Sequence, residues 1–82
     1  MPHVVTTHGD CQAFTGGVCE FDVEARSVRQ LILELERRYP GLGDFVERRM
    51  AIAIDGEIHQ DAYGAALNET SEVYLIPKIG GG

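Results

Sequence analysis

Between Ser27 and Pro40 the apolar residues Val28, Leu31, Ile32, Leu35 and Tyr39 recur at the spacing that lines one face of an α-helix. A helix with a single apolar stripe is marginal alone and must bury that stripe against a second layer. The ends of this segment are well marked. Ser27 followed by Gln30 has the capping-box arrangement, Arg37 and Arg38 suit the negative end of the helix dipole, and Pro40-Gly41 stops the helix.

The flanking segments read as strands that supply the second layer. Val4-Val5-Thr6-Thr7 is β-prone, and Val18 to Val23 alternates, with Cys19, Phe21 and Val23 on one side and Glu20 and Asp22 on the other. The punctuation-rich stretch from Gly9 to Gly17 is expected to be the connecting loop, with its bend at Thr15-Gly16-Gly17. Asp44 to Glu47 is expected to cap one further short turn. Met50, Ile52 and Ile54, alternating with Ala51 and Ala53, form a third strand that Asp55-Gly56 turns back. Ala62 to Leu67 reads as irregular or a single helical turn, and Val73-Tyr74-Leu75-Ile76 makes the last strand before Pro77. The order β-β-α-β-β predicts an α+β chain, a mixed sheet with one main helix packed across it, which is the β-grasp (ubiquitin-like) arrangement. One domain over residues 1–77 and a flexible tail over 78–82 are expected.

Size and charge narrow the function classes. A chain of 82 residues buries only about 60–65% of the surface its unfolded form exposes, which leaves little room for a deep catalytic cavity. No stretch approaches the roughly 20 apolar residues of a membrane span, so no membrane partner is expected. Met1 to Val5 has neither a basic region nor an apolar one, so no secretory signal is read and a cytoplasmic location is expected. The net charge of −6, from seven Lys and Arg against thirteen acids, argues against nucleic acid and fits either a basic protein partner or an acidic balance that simply keeps a small protein in solution.

The reactive side chains form no telling cluster. Cys11 and Cys19 would face one another if a hairpin centred near Thr15, but their spacing matches no zinc or iron–sulfur pattern. His3, His8 and His59 are scattered, and no metal site is expected. Asp44, Glu47, Glu57 and Asp61 read as solvated charges or acidic docking contacts.

Four stretches together carry a family likeness. Ser27-Val28-Arg29-Gln30-Leu31 opens the helix, Tyr39-Pro40-Gly41-Leu42 closes it, Ala53-Ile54-Asp55-Gly56-Glu57 marks the third strand, and Val73-Tyr74-Leu75-Ile76-Pro77 leads to Gly81-Gly82. In these the chain resembles the MoaD and ThiS group of ubiquitin-like sulfur carriers, over nearly its whole length. The resemblance implies a non-enzymatic protein whose C-terminal glycine carboxylate, at Gly82 behind Gly81, is adenylated by an enzyme resembling ubiquitin-activating enzymes and converted to a thiocarboxylate. It implies three partners: that E1-like adenylating enzyme, which uses the ATP; a sulfur donor; and a sulfur-accepting synthase in the biosynthesis of a cofactor or cysteine. The carrier itself needs no cofactor. The face next to the tail meets the activating enzyme in that group, which would put Leu75, Pro77, Lys78, Ile79 and Gly80 at the contact; strand alternation allows the alternative that Leu75 is buried. The sequence departs from the family pattern at Asp55, where asparagine is common, and at Gly80, where alanine is common. Phe14-Thr15-Gly16-Gly17 also resembles the Thr-Gly-Gly of carriers that serve cysteine biosynthesis.

Glycine has a physical reason to stand at such a terminus. A carboxylate with a pKa of about 3.5 is ionised at neutral pH and resists attack until activated. Threading the tail into a narrow nucleotide site is obstructed by any Cβ near the reacting carbonyl. Ordering the tail costs about 1–2 kcal/mol per residue, which contacts elsewhere on the domain must offset. A phosphate-binding glycine loop is not expected, because such loops lead into a helix N-terminus and no helical pattern follows Gly80-Gly81-Gly82. Two alternatives share the fold: a β-grasp module that only binds partners, and a ubiquitin-like protein modifier.

Overall fold

The computed structural model describes residues 1–6, 9–59 and 64–78. In chain order the elements are β1 (His3–Thr6), α1 (Gly9–Thr15), β2 (Glu20–Asp22), α2 (Val28–Arg38), α3 (Leu42–Arg49), β3 (Met50–Ile54), β4 (Glu57–His59) and β5 (Glu72–Pro77). The strands form one mixed sheet in the order β2-β1-β5-β3-β4. Strand β5 lies at its centre, parallel to β1 and antiparallel to β3.

Helix α2 forms where its stripe predicts. Val28, Leu31, Ile32 and Leu35 are buried, and they belong to the same core cluster as Val4, Ile52, Val73 and Leu75 of the sheet. The start is capped as expected, since the Gln30 N–H donates to Ser27 Oγ at 3.2 Å. The reciprocal bond reaches one residue further back, with Gln30 Oε1 accepting from the Arg26 N–H at 2.9 Å. At the other end Arg37 pairs with Glu34 at 2.7 Å, while Arg38 donates to the Asp22 carbonyl at 3.1 Å.

Four expectations are corrected. The segment after β1 is helix α1 rather than a loop, with Cys11 and Thr15 turned into the protein. Gly16 and Gly17, at φ of 69° and 93°, end that helix at the expected bend. The two flanking strands do pair antiparallel, Val4 opposite Phe21, but β2 is shorter than the alternation suggested and Cys19 is exposed. Asp44 to Glu47 lies within the longer helix α3, and Asp55-Gly56 turns the chain into an additional strand, β4. Asp55 and Gly56 both have positive φ, 50° and 87°, as a two-residue hairpin turn of the primed type requires.

A half-buried carboxylate joins the helical layer. Glu36 Oε2 accepts from the Gly41 N–H at 2.7 Å and Oε1 from the Asp44 N–H at 3.1 Å, so one side chain of α2 caps the start of α3. Gly43 permits the close approach: a Cβ there would stand 2.6 Å from the Ile32 carbonyl oxygen. The Gly41 N–H first, and then those of Asp44 and Gly43, hold the Glu36 carboxyl below its ordinary value of 4.5. A carboxylate with a depressed folded pKa stabilises fully above its unfolded pKa, and that contribution is lost as pH falls through the folded value. The difference in Tm between the parent and Glu36→Gln should therefore be constant above about pH 6 and narrow below about pH 4.5. Thermal unfolding across that range checks it, and a pH-independent difference would show that the carboxylate charge does not hold the junction.

Candidate functional site

Strand β5 carries the predicted contact residues Leu75 and Pro77. Its register sets Val73 opposite Val4 and Ile54, and Leu75 opposite Thr6 and Ile52, which turns both β5 residues into the core. Beyond Pro77, the Lys78 N–H donates to the Arg49 carbonyl at 3.2 Å, extending the ladder one residue to the α3–β3 junction. Lys78, the last described residue, therefore lies at the end of the central strand rather than of an edge strand. Ile79, Gly80, Gly81 and Gly82, all predicted site residues, lie outside the described residues.

The predicted contact residues separate. Leu75 is 1% exposed and is a core residue, so its side chain is not available to a partner. Pro77 and Lys78 are exposed. The period of two that buries Leu75 turns Tyr74 to the opposite face of the sheet, where it is 44% exposed. Across the register Tyr74 stands opposite Val5 and Ala53, and Ala53 stands opposite Ile58, which is 53% exposed. The face away from α2 thus carries exposed apolar side chains beside the strand that leads to the tail. Sequence reasoning passed over Tyr74 and Ile58. The alternation about Val73 and Leu75 was the signal for Tyr74, while Ile58 stands on a strand the sequence reading did not include.

Charged groups border this surface. His3 Nε2 stands 2.8 Å from Glu20 Oε1, and Nδ1 stands 3.1 Å from Asp22 Oδ1. The hydrogen bond to Glu20, followed by that to Asp22, raises the His3 pKa above 6.5. Asp44 pairs with Arg48 at 3.1 Å, Glu47 and Glu57 are exposed, and His8 and Asp61 lie outside the described residues. Cys11 and Cys19 are both free thiols. Burial pushes the Cys11 thiol up, which lowers its nucleophilic fraction, whereas Cys19 is exposed and donates to the Gly17 carbonyl at 3.5 Å. Among the described residues no group of three or more His, Cys, Asp or Glu is placed to hold a metal ion. No helix among them is long and apolar enough to cross a membrane.

The model of the ThiS family matches residues 9–82, which includes the glycine tail. The chain belongs to the ThiS family. Solved structures establish the fold of this ThiS-family chain as β-grasp. Mycobacterium tuberculosis CysO is similar over 96% of this chain and 100% of its own, with a TM-score of 0.83 and 17% identity. The Amycolatopsis orientalis BexX/CysO complex contains a chain similar over the full length of both, with a TM-score of 0.83 and 17% identity. The small archaeal modifier protein 1 of Methanosarcina acetivorans is similar over 99% of this chain and 95% of its own, with a TM-score of 0.77 and 20% identity. No curated protein matches the sequence.

The division between core and surface on β5 is directly measurable. Leu75→Ala should destabilise the domain by about 2–5 kcal/mol, because it opens a cavity beneath α2. Lys78→Ala should change stability by less than about 0.5 kcal/mol. Denaturant unfolding of both variants checks the assignment.

Proposed function

We propose that this ThiS-family protein is a sulfur carrier and that its reactive group is the carboxylate of Gly82. The observation that carries the reading is the family match through residue 82, with the Gly-Gly tail following from the sheet's central strand. An E1-like adenylating enzyme supplies the ATP and the catalytic groups. A carboxylate oxygen of Gly82 attacks the α-phosphorus, pyrophosphate leaves, and an acyl-adenylate forms. Sulfide (HS−) delivered by a donor then attacks the acyl carbon, AMP leaves, and loss of the thiol proton gives the thiocarboxylate. A synthase that holds an electrophilic acceptor takes the sulfur, in the biosynthesis of a cofactor or of cysteine. The carrier contributes no catalytic side chain and acts in the cytoplasm.

Geometry gives the tail a defined reach. From Lys78 to Gly82 an extended chain spans at most about 13–14 Å, so the partner's nucleotide must lie within about that distance of Lys78. The exposed surface around Tyr74, with Pro77 and Lys78, supplies the docking contacts that offset the ordering of the tail. That a CysO chain of this fold is found in a complex with BexX supports engagement of a protein partner. Likeness to a small archaeal modifier protein favours a second reading, in which the same adenylate is passed to an amine and the chain modifies proteins. The two readings diverge at the product, a thiocarboxylate in one and an isopeptide in the other.

Gly82→Val should fold as the parent does and bind the activating enzyme with similar affinity, yet lose at least about tenfold in adenylate formation. Its branched Cβ crowds the attacked carbonyl and the channel. Pyrophosphate release, measured beside circular dichroism and binding, checks this, and a parent rate would refute the terminal-glycine mechanism. Cys19→Ser should leave thiocarboxylate formation unchanged, because the reactive sulfur belongs on the terminus. Loss of sulfur transfer from a folded Cys19→Ser protein would move the chemistry to that thiol.

A further inference from the structure

The sheet face away from α2 changes character along β5. The period of two puts Glu72, Tyr74 and Ile76 on this face in succession, with Lys78 next in the series. Glu72 stands opposite His3, which stands opposite Asp22, and His3 also holds the Glu20 carboxylate at 2.8 Å. Two carboxylates, Glu20 and Asp22, therefore hold one imidazole, and Glu72 is paired with His3 across the register, so acids outnumber the imidazole at this end even when it is protonated. In the middle lie Tyr74 and Ile58, both exposed. At the tail end stands Lys78, the only lysine in the chain. The span from Glu72 to Lys78 is about 20 Å, set by six strand steps.

We propose that this face is a directional docking surface for a protein partner. The partner sets apolar groups against Tyr74 and Ile58 and basic groups against Glu20, Asp22 and Glu72. It sets an acidic group against Lys78, at the mouth of the channel that takes the tail. The identity of the partner as an adenylating enzyme rests on the carrier reading. The polarity itself rests on the register and the charges. A uniformly acidic face would dock equally well when turned end for end, and the tail would then point away from the nucleotide. Opposite charges at the two ends remove that degeneracy, because the reversed complex brings like charges together. The ends are separated by more than the roughly 8 Å screening length at physiological salt, so each is read independently.

The test is titration calorimetry of the parent, Lys78→Glu and Glu72→Lys against the E1-like adenylating enzyme of the same organism, at low and high salt. Adenylation is followed separately by mass spectrometry. Residues 72 and 78 are exposed, and thermal unfolding verifies that both variants fold. Each reversal should weaken binding by about tenfold at low salt, with the difference shrinking as salt rises. Lys78→Met, which keeps the stem but not the charge, should fall between the parent and Lys78→Glu. Equal or tighter binding of Lys78→Glu would overturn the polarity while leaving the carrier reading intact. A parent chain that binds with this charge dependence but is never adenylated would overturn the carrier reading and leave the polarity standing.

Discussion

The structure depends on the insertion of β5 between β1 and β3. A central strand pairs on both sides, so Val73 and Leu75 are fixed beneath α2 by two registers at once. The same pairing fixes what lies on the other face and where the chain leaves the sheet. Because side chains alternate, a one-residue slip would exchange core and surface along the whole strand and bury Tyr74 in place of Leu75. The Asp55 carboxylate guards against that slip at one end by accepting from the Glu72 N–H at 2.9 Å. The bond from the Lys78 N–H to the Arg49 carbonyl closes the other end.

Helix α3 matters because it delivers that last carbonyl. Its start is held by the Glu36 carboxylate and by the close approach that Gly43 allows, and its end runs directly into β3. Helix packing, capping and the root of the tail are thus linked through two short elements. Phe14 of α1 adds a further contact, its ring standing 5.5 Å from that of Phe45. The last described residues, Pro77 and Lys78, are thus anchored beside the α3–β3 junction.

Much of this was legible in the sequence, for identifiable reasons. The α2 stripe, its Ser27 cap and the alternation at Met50 to Ile54 are local patterns long enough to fix both type and face. Helix α1 was not legible, because it carries Gly9, Asp10 and Thr15 among few apolar residues and only Cys11 and Thr15 turn inward. Strand β4 was missed because Glu57–His59 is too short for a period to register, although its Asp55-Gly56 turn was visible. Leu75 illustrates the other limit: the resemblance placed it at a contact and alternation allowed it to be buried, and only the register of β5 decides for the core. The glycines of the candidate site were read from composition and resemblance, and they lie outside the described residues.

The central claim is that the reactive atom sits on the Gly82 carboxyl and on no side chain. Intact-protein mass spectrometry after incubation with ATP, the activating enzyme and a sulfur donor tests it most directly, with fragmentation to locate the modification. The account predicts replacement of one oxygen by sulfur, confined to the fragment containing Gly82 and dependent on ATP. Sulfur found on Cys11 or Cys19, or a mass unchanged under conditions that load an established carrier, would contradict it.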